Sequence, residues 1–239
     1  MLDRLREHYD RKYAHAAVAN TTVAHVARPR DRAQAALVAL LERPGGRYLE
    51  IGAGSGSVAA SVLGQFSDLV LTEASPSRVD ALRERFAMSA EKVRVLPHDI
   101  EAEPIPLEPD SVDVVALIAV IEHLVEPIGV LREIRRVLRP GGRLIMDTPN
   151  MAKWTRRLKL MAGWFPSTAS LDEGLKTYEG GSTDLHDEGH LHYFTYRSLR
   201  RLCIERAGFH SVEERGYGRT RLSGLWPTLF SEILLVVTK

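Results

Sequence analysis

Apolar and polar positions along this chain alternate between two periods. Short runs of strand length recur at Tyr48-Leu49-Glu50-Ile51, Asp68 to Thr72, Val93 to Leu96, Val112 to Ile121 and Arg143 to Thr148. The stretches between them carry apolar residues at helical spacing. Such alternation predicts an α/β fold with a mostly parallel sheet. The run from Val112 to Ile121, interrupted only by Asp113, predicts a strand buried on both faces. Ser75-Pro76 reads as a helix start, with serine as cap and proline in the first turn, leading into Val79, Leu82 and Phe86. Pro127 to Leu138 predicts a helix with Leu131, Ile134 and Leu138 inward. Its arginines 132, 135 and 136, with Arg139, would form a solvated face. Ser198 to Ala207 reads as a helix closed by Gly208, and Phe209 to Tyr217 with Glu232 to Thr238 as a final pair of strands.

Two further helices are expected ahead of the first strand. Leu2, Leu5, Tyr9, Tyr13 and Ala17 recur helically up to Arg28-Pro29-Arg30, and Asp31 to Glu42 stops at Pro44-Gly45-Gly46. One domain spanning residues 1–239 is expected, with residues 1–44 as N-terminal helices. Residues 151–190 depart from the alternation and are expected to form a lid over the site. Within them, Trp154 to Phe165 mixes basic and large apolar residues, which suits a cap, a membrane surface or a second subunit.

The densest chemical signal is the turn after the first strand. Gly52, Gly54 and Gly56 alternate there, and a helical run begins at Ser57-Val58-Ala59. Glycines permit positive φ and remove Cβ atoms, so a flat, bulky ligand can lie against the backbone, and a nucleotide-like cofactor is the natural guest. The run beginning at Asp68 ends in Glu73, a carboxylate suited to ribose hydroxyls at the tip of a second strand. No Lys-Ser/Thr pair follows the glycines, which argues against a phosphate-cradling loop.

Composition narrows the function classes. The 239 residues are 44% hydrophobic and 26% charged, within the ordinary globular range, and the net charge of +1 selects no nucleic acid or acidic partner. The arginines of the 127–138 helix lack interleaved aromatics, so they do not read as a nucleic-acid patch. The single cysteine, Cys203, excludes an internal disulfide and fits a reducing cytoplasm. No stretch is long and apolar enough to predict stable membrane insertion, and the charged N-terminus does not read as a signal peptide.

Glu50-Ile51-Gly52-Ala53-Gly54-Ser55-Gly56 with Glu73 resembles the first two motifs of the class I S-adenosylmethionine-dependent methyltransferases. Ile121-Glu122-His123-Leu124, the stretch Leu131 to Gly142, Thr148-Pro149-Asn150 and Gly189 to Thr195 are similar to the small-molecule methyltransferases of the ubiquinone-pathway kind. The resemblance implies a Rossmann-like, seven-stranded, mostly parallel sheet with a C-terminal antiparallel hairpin and a helical lid. It also implies S-adenosyl-L-methionine as cofactor, S-adenosyl-L-homocysteine as product, and a small-molecule acceptor on a monomer or homodimer. Under it, Glu50 and the loop of Gly52, Ala53, Gly54 and Gly56 position the methionine portion, while Glu73 with Ala74 binds ribose. Asp99 would accept from the adenine amino group while Ile100 covers a ring face; the other reading of Asp99 is a surface turn.

Ligands in such sheets sit beyond the strand ends, which places Ile118, Ala119, Val120, Glu122 and His123 at cofactor or acceptor. His123, His190 and His192 are candidate bases for a hydroxyl nucleophile. The alternatives are that His123 stabilises its own loop and that His190 and His192 hold the return of the lid. His186, Asp187, Glu188, His190 and His192 together offer imidazole and carboxylate ligands, but their spacing does not match H-E-x-x-H and no cysteine joins them. No metal is assigned. An NAD(P)-dependent oxidoreductase and a non-catalytic cofactor-binding regulator stand as competing readings. Ser57 at the position of a third fingerprint glycine weighs against the oxidoreductase.

Overall fold

The computed structural model describes residues 46–168, 190–217 and 222–239. Strands β1 (Arg47–Ile51), β2 (Asp68–Glu73), β3 (Val93–Pro97), β4 (Val112–Ile118), β5 (Leu138–Thr148), β6 (Ser211–Tyr217) and β7 (Glu232–Thr238) form one sheet. Their order is β3-β2-β1-β4-β5-β7-β6. All pairings from β3 to β5 are parallel, and β7 runs antiparallel to both β5 and β6. The expected mostly parallel sheet with an antiparallel C-terminal pair is therefore present. Helices α1 (Ser57–Val62), α2 (Pro76–Arg85) and α3 (Pro127–Val137) follow β1, β2 and β4 in turn. Helix α4 (Trp154–Met161) follows β5, and α5 (Tyr196–Arg201) continues as a π-helical turn to Arg206.

Period-two alternation gives each strand two apolar faces. Leu49, Ile51, Val115 and Leu117 join the core layer containing Leu131, Ile134 and Leu199. Tyr48, Val114 and Ala116 join the opposite layer with Val58, Val62 and Leu82. With both faces covered, the parallel strands need apolar residues at nearly every position, which accounts for the uninterrupted run in β4. Its one charged residue, Asp113, is tied down by an ion pair with Arg139 and accepts the Arg47 N–H at 2.6 Å.

The edges of several elements differ from the sequence expectation. Helix α5 starts at Tyr196, before Ser198, because Thr195 is the cap: its hydroxyl accepts the Ser198 N–H at 3.1 Å and Ser198 Oγ accepts the Thr195 N–H at 2.9 Å. Ser75 stands at the cap position of α2 but makes no side-chain cap bond. The arginines after β4 are not simply a solvated face. Arg136 is half-buried, bonding the carbonyls of Ile105 and Leu107 and the Glu133 carboxylate, and Arg132 reaches the Arg206 carbonyl at 3.1 Å. The helices expected over 2–27 and 31–42 lie outside the described residues.

Candidate functional site

The strand order reverses between β1 and β4, and the crevice beyond their C-terminal ends is where open α/β sheets hold ligands. On the β1 side, Gly52, Gly54 and Gly56 all have positive φ, at 66°, 56° and 72°. The turn folds on itself through Gly56 N–H to the Ala53 carbonyl at 2.8 Å and Ala53 N–H to the Thr72 carbonyl at 3.0 Å. Glu73 ties it to the second strand: one carboxylate oxygen accepts the Gly54 N–H at 2.9 Å and the other the Ser75 N–H at 3.0 Å. A carboxylate has about four acceptor sites, so two remain for a pair of hydroxyls. Arg78 stands beside it, its Nη1 4.0 Å from Glu73 Oε2. Bend and carboxylate, distant in sequence, form one cradle.

Glu50 lies beneath this cradle. It is buried, its carboxylate accepts the Tyr48 hydroxyl at 3.0 Å, and burial pushes its pKa up to about 8 even though the bonds from Tyr48 and the Ala59 N–H lower it. At neutral pH a large share of Glu50 is protonated and internally bonded, bracing the loop from the α1 side. Asp99 is half-buried and its Oδ1 accepts the Glu101 N–H at 3.0 Å, forming a turn beside Ile100. Glu101 in turn accepts from Val125 and Glu126 at 2.6 and 2.9 Å, fastening this turn to the segment after β4.

On the other side, β4 ends in a sharp bend. Ile118 leads into Ala119, which has φ 52°, a left-handed conformation that costs a non-glycine residue about 1–2 kcal/mol. Asp147 Oδ1 on β5 holds the Ala119 N–H at 2.8 Å. The bend turns the chain into a single helical turn, Ile121–His123. The histidine segment arrives from far along the chain: the N–H groups of Leu191 and His192 both donate to the Glu122 carbonyl, at 2.8 and 3.1 Å, and Phe194 bridges Asn150. The His123 and His190 rings consequently lie edge to face with centroids 4.8 Å apart. His192 diverges from them. Its ring sits 5.9 Å from that of Phe194, and its Nε2 is buried without a hydrogen-bond partner among the described residues.

Two polar contacts went unread in the sequence. Thr148 donates to Glu122 Oε2 at 3.0 Å, and Thr168 Oγ1 lies 2.6 Å from His190 Nδ1. Glu122 was legible as a residue of the ligand-facing loop; its grouping with His190 was not, because no short-range spacing encodes it. His186, Asp187 and Glu188 lie outside the described residues.

The first half of the expected lid folds as α4. Arg156 and Lys153 anchor it to Glu232, each at 2.7 Å. Burial alone would raise the Glu232 pKa, but the two cations outweigh it and hold the carboxyl below its ordinary value. Trp154, Leu158, Leu160, Met161 and Trp164 are exposed among the described residues. No described helix is long and apolar enough to cross a membrane.

A family model described as a methyltransferase domain matches residues 24–214, a range that takes in the glycine turn, Glu73 and the histidine segment. The chain belongs to the class I S-adenosylmethionine-dependent methyltransferase family. Among curated methyltransferases, it is 39% identical over 105 residues to an uncharacterized methyltransferase of Mycobacterium bovis, covering 44% of this chain and 40% of that one. It is 30% identical over 146 residues to a demethylmenaquinone methyltransferase of Clavibacter sepedonicus, covering 61% of this chain and 55% of that one. The aligned part thus spans about half the length of these relatives, or less. Among solved structures, a candidate S-adenosyl-L-methionine-dependent methyltransferase from Methanococcus maripaludis superposes with a TM-score of 0.62 at 14% identity, covering 96% of this chain and 93% of that one. This likeness of fold covers more of the chain than the two sequence matches do.

Proposed function

We propose that this protein transfers the methyl group of S-adenosyl-L-methionine to an oxygen of a small-molecule acceptor. The observation that carries the reading is the joint cradle of Gly54 and Glu73, the Gly54 N–H 2.9 Å from the carboxylate, on the strand next to β4, which runs into the turn bearing His123 and its ring partner His190. The residues present fit the cofactor. Gly52 and Gly54 offer bare backbone, Glu73 retains acceptor capacity for ribose hydroxyls, and Asp99 with Ile100 stands at the adenine end. Glu50 supports the loop that would hold the methionine portion. When bound, the cofactor supplies an electrophilic methyl group on a sulfonium.

Everything else falls to the chain's own groups. The protein has to align the acceptor and exclude water. His123 and His190 are placed to take the proton of an acceptor hydroxyl, since imidazole titrates in the appropriate range. His192, with a buried unpartnered Nε2, offers one further polar contact to the acceptor. Helix α4, anchored to Glu232 by Lys153 and Arg156, is the described part of the expected lid.

A second reading places the methyl on carbon. Likeness to ubiquinone/menaquinone biosynthesis C-methyltransferases favours it, and removal of a ring hydroxyl proton would serve that outcome equally. Isothermal titration with the cofactor and its demethylated product tests the first half, with micromolar binding of both expected. Absence of binding at millimolar concentration would reject it. A methyl-transfer screen across phenols, hydroquinones, sugars and amines, with product position read by mass spectrometry and NMR, separates oxygen from carbon. Turnover confined to amines would overturn the assignment of the histidines as hydroxyl bases.

A further inference from the structure

We propose that Glu122, His123 and His190 form a binding site for one divalent transition ion of the zinc class, on the acceptor side of the crevice. Each of the three offers a ligand atom, and these atoms lie within 4.8 Å of one another. Two imidazoles and a carboxylate, with a position left open, are a donor set used by catalytic zinc sites. Bonds of about 2.1 Å in tetrahedral geometry place ligand atoms roughly 3.4 Å apart, so a separation of 4.8 Å needs to contract by about 1.4 Å. Side-chain rotation at half-buried His123 and His190 can supply that movement.

Three independent features support the assignment. First, the Glu122 carboxylate is buried and groups with the two imidazoles away from bulk water. Secondly, both outer ligands already carry the supporting bonds that metal ligands require. Thr168 Oγ1 lies 2.6 Å from His190 Nδ1, and Thr148 Oγ1 orients the Glu122 carboxylate at 3.0 Å. Thirdly, the backbone welds the two halves together, because the Leu191 and His192 N–H groups are anchored on the Glu122 carbonyl itself. The grouping differs from the one the sequence brought forward: Glu122 enters it, and His192 turns instead toward Phe194.

The consequence for substrate class rests on the methyltransferase reading given above. An ion here would take an acceptor oxygen at its open position and lower the pKa of that hydroxyl, its proton passing to solvent. His123 and His190 would then serve as ligands rather than as bases. A hydroxylated acceptor, preferably one with a second neighbouring oxygen, fits such a site better than an amine that is protonated at neutral pH.

The test uses the full chain, treated with a chelator and then titrated with Co2+ and with Zn2+. One Co2+ per chain is expected, seen by calorimetry and by visible absorption of a low-symmetry site, and displaced by Zn2+. His123→Gln and His190→Gln should each weaken Co2+ binding by at least about a hundredfold, and Thr148→Val by about tenfold. Circular dichroism and titration with S-adenosyl-L-homocysteine verify that the variants are folded. No saturable Co2+ binding below millimolar concentration, or binding unchanged in both histidine variants, overturns the proposal. A wild-type chain that binds the cofactor but no Co2+ rejects only this site; a wild-type chain that binds Co2+ but not the cofactor rejects only the methyltransferase reading.

Discussion

The two sides of the crevice are built by different means. The proposed cofactor side is made of backbone: three left-handed glycines and amide groups held by Glu73. The proposed acceptor side is made of side chains, Glu122, His123, Thr148, Thr168 and His190, drawn from separate segments. Backbone geometry constrains what each position can be and tolerates little change. A side-chain cluster can be rewritten one residue at a time, which suits a surface that has to fit a particular acceptor. Substitutions on the two sides should therefore differ in kind as well as in size.

The largest effect is expected at Gly56. A Cβ built there would stand 2.7 Å from both Leu82 Cδ2 and Phe86 Cε2, with φ at 72°. Gly56→Ala thus adds left-handed strain of about 1–2 kcal/mol to overpacking of about 1–3 kcal/mol. Thermal unfolding should show Tm lowered by roughly 5–15 °C, and cofactor affinity should fall with it. An unchanged Tm would mean that the loop can relax away from α2, and the cofactor side would lose its distinction as the rigid half.

Glu73→Ala comes next, and its effect should be on binding more than on folding. Affinity for S-adenosyl-L-homocysteine is expected to fall about 10- to 100-fold, equivalent to about 1.4–2.7 kcal/mol, with Glu73→Gln intermediate because one carbonyl oxygen remains. Calorimetric titration measures it. Equal affinities in wild type and Glu73→Ala would separate the carboxylate from the ligand.

How far each side was legible in sequence follows from the same contrast. The glycine turn, its preceding strand and Glu73 could be read directly, because the turn is contiguous and parallel β1–β2 pairing puts the ends of adjacent strands together. The mostly parallel sheet with its antiparallel C-terminal pair followed from the alternation and the resemblance, whereas the order of its strands did not. Helix α5 was misplaced at its start because Thr195 and Ser198 both look like caps, and only the reciprocal bonds reveal which one is. The Glu122 cluster could not be assembled from spacing, since it depends on where the 190–194 segment docks. That docking is fixed by amide bonds to the Glu122 carbonyl and by the bridge to Asn150, which a side-chain pattern does not record.

Glu50 sharpens the comparison through pH. Burial raises its pKa from 4.5 to about 8, so the folded protein retains a proton that the unfolded chain releases. The stabilising contribution is complete below the unfolded value, is lost progressively as pH rises toward 8, and is absent from the slope above that. The gradient approaches about 1.4 kcal/mol per pH unit in the middle of this window. Glu50→Gln keeps an acceptor for Tyr48 and removes the titration. Its Tm should therefore stay level between pH 5 and pH 8, as rough limits of that window, where wild type declines. Parallel curves for the two proteins would show that Glu50 is ionised in the folded state.

The smallest effect is expected on the acceptor side, at Thr148. Thr148→Val keeps the shape of the side chain but removes the hydroxyl that donates to Glu122 Oε2 at 3.0 Å, leaving a buried carboxylate with one bond fewer. The cost should be about 1–2 kcal/mol of stability, visible as a Tm lower by a few degrees. Affinity for S-adenosyl-L-homocysteine should change less than about twofold, because Thr148 touches neither the glycine turn nor Glu73 and independent sites contribute additively. Combining Thr148→Val with Glu73→Ala decides whether the halves are independent. Additive losses in stability and an unchanged Glu73 effect on binding are the expected result; a coupling well above about 0.5 kcal/mol would mean that the acceptor cluster and the cofactor cradle respond as one unit.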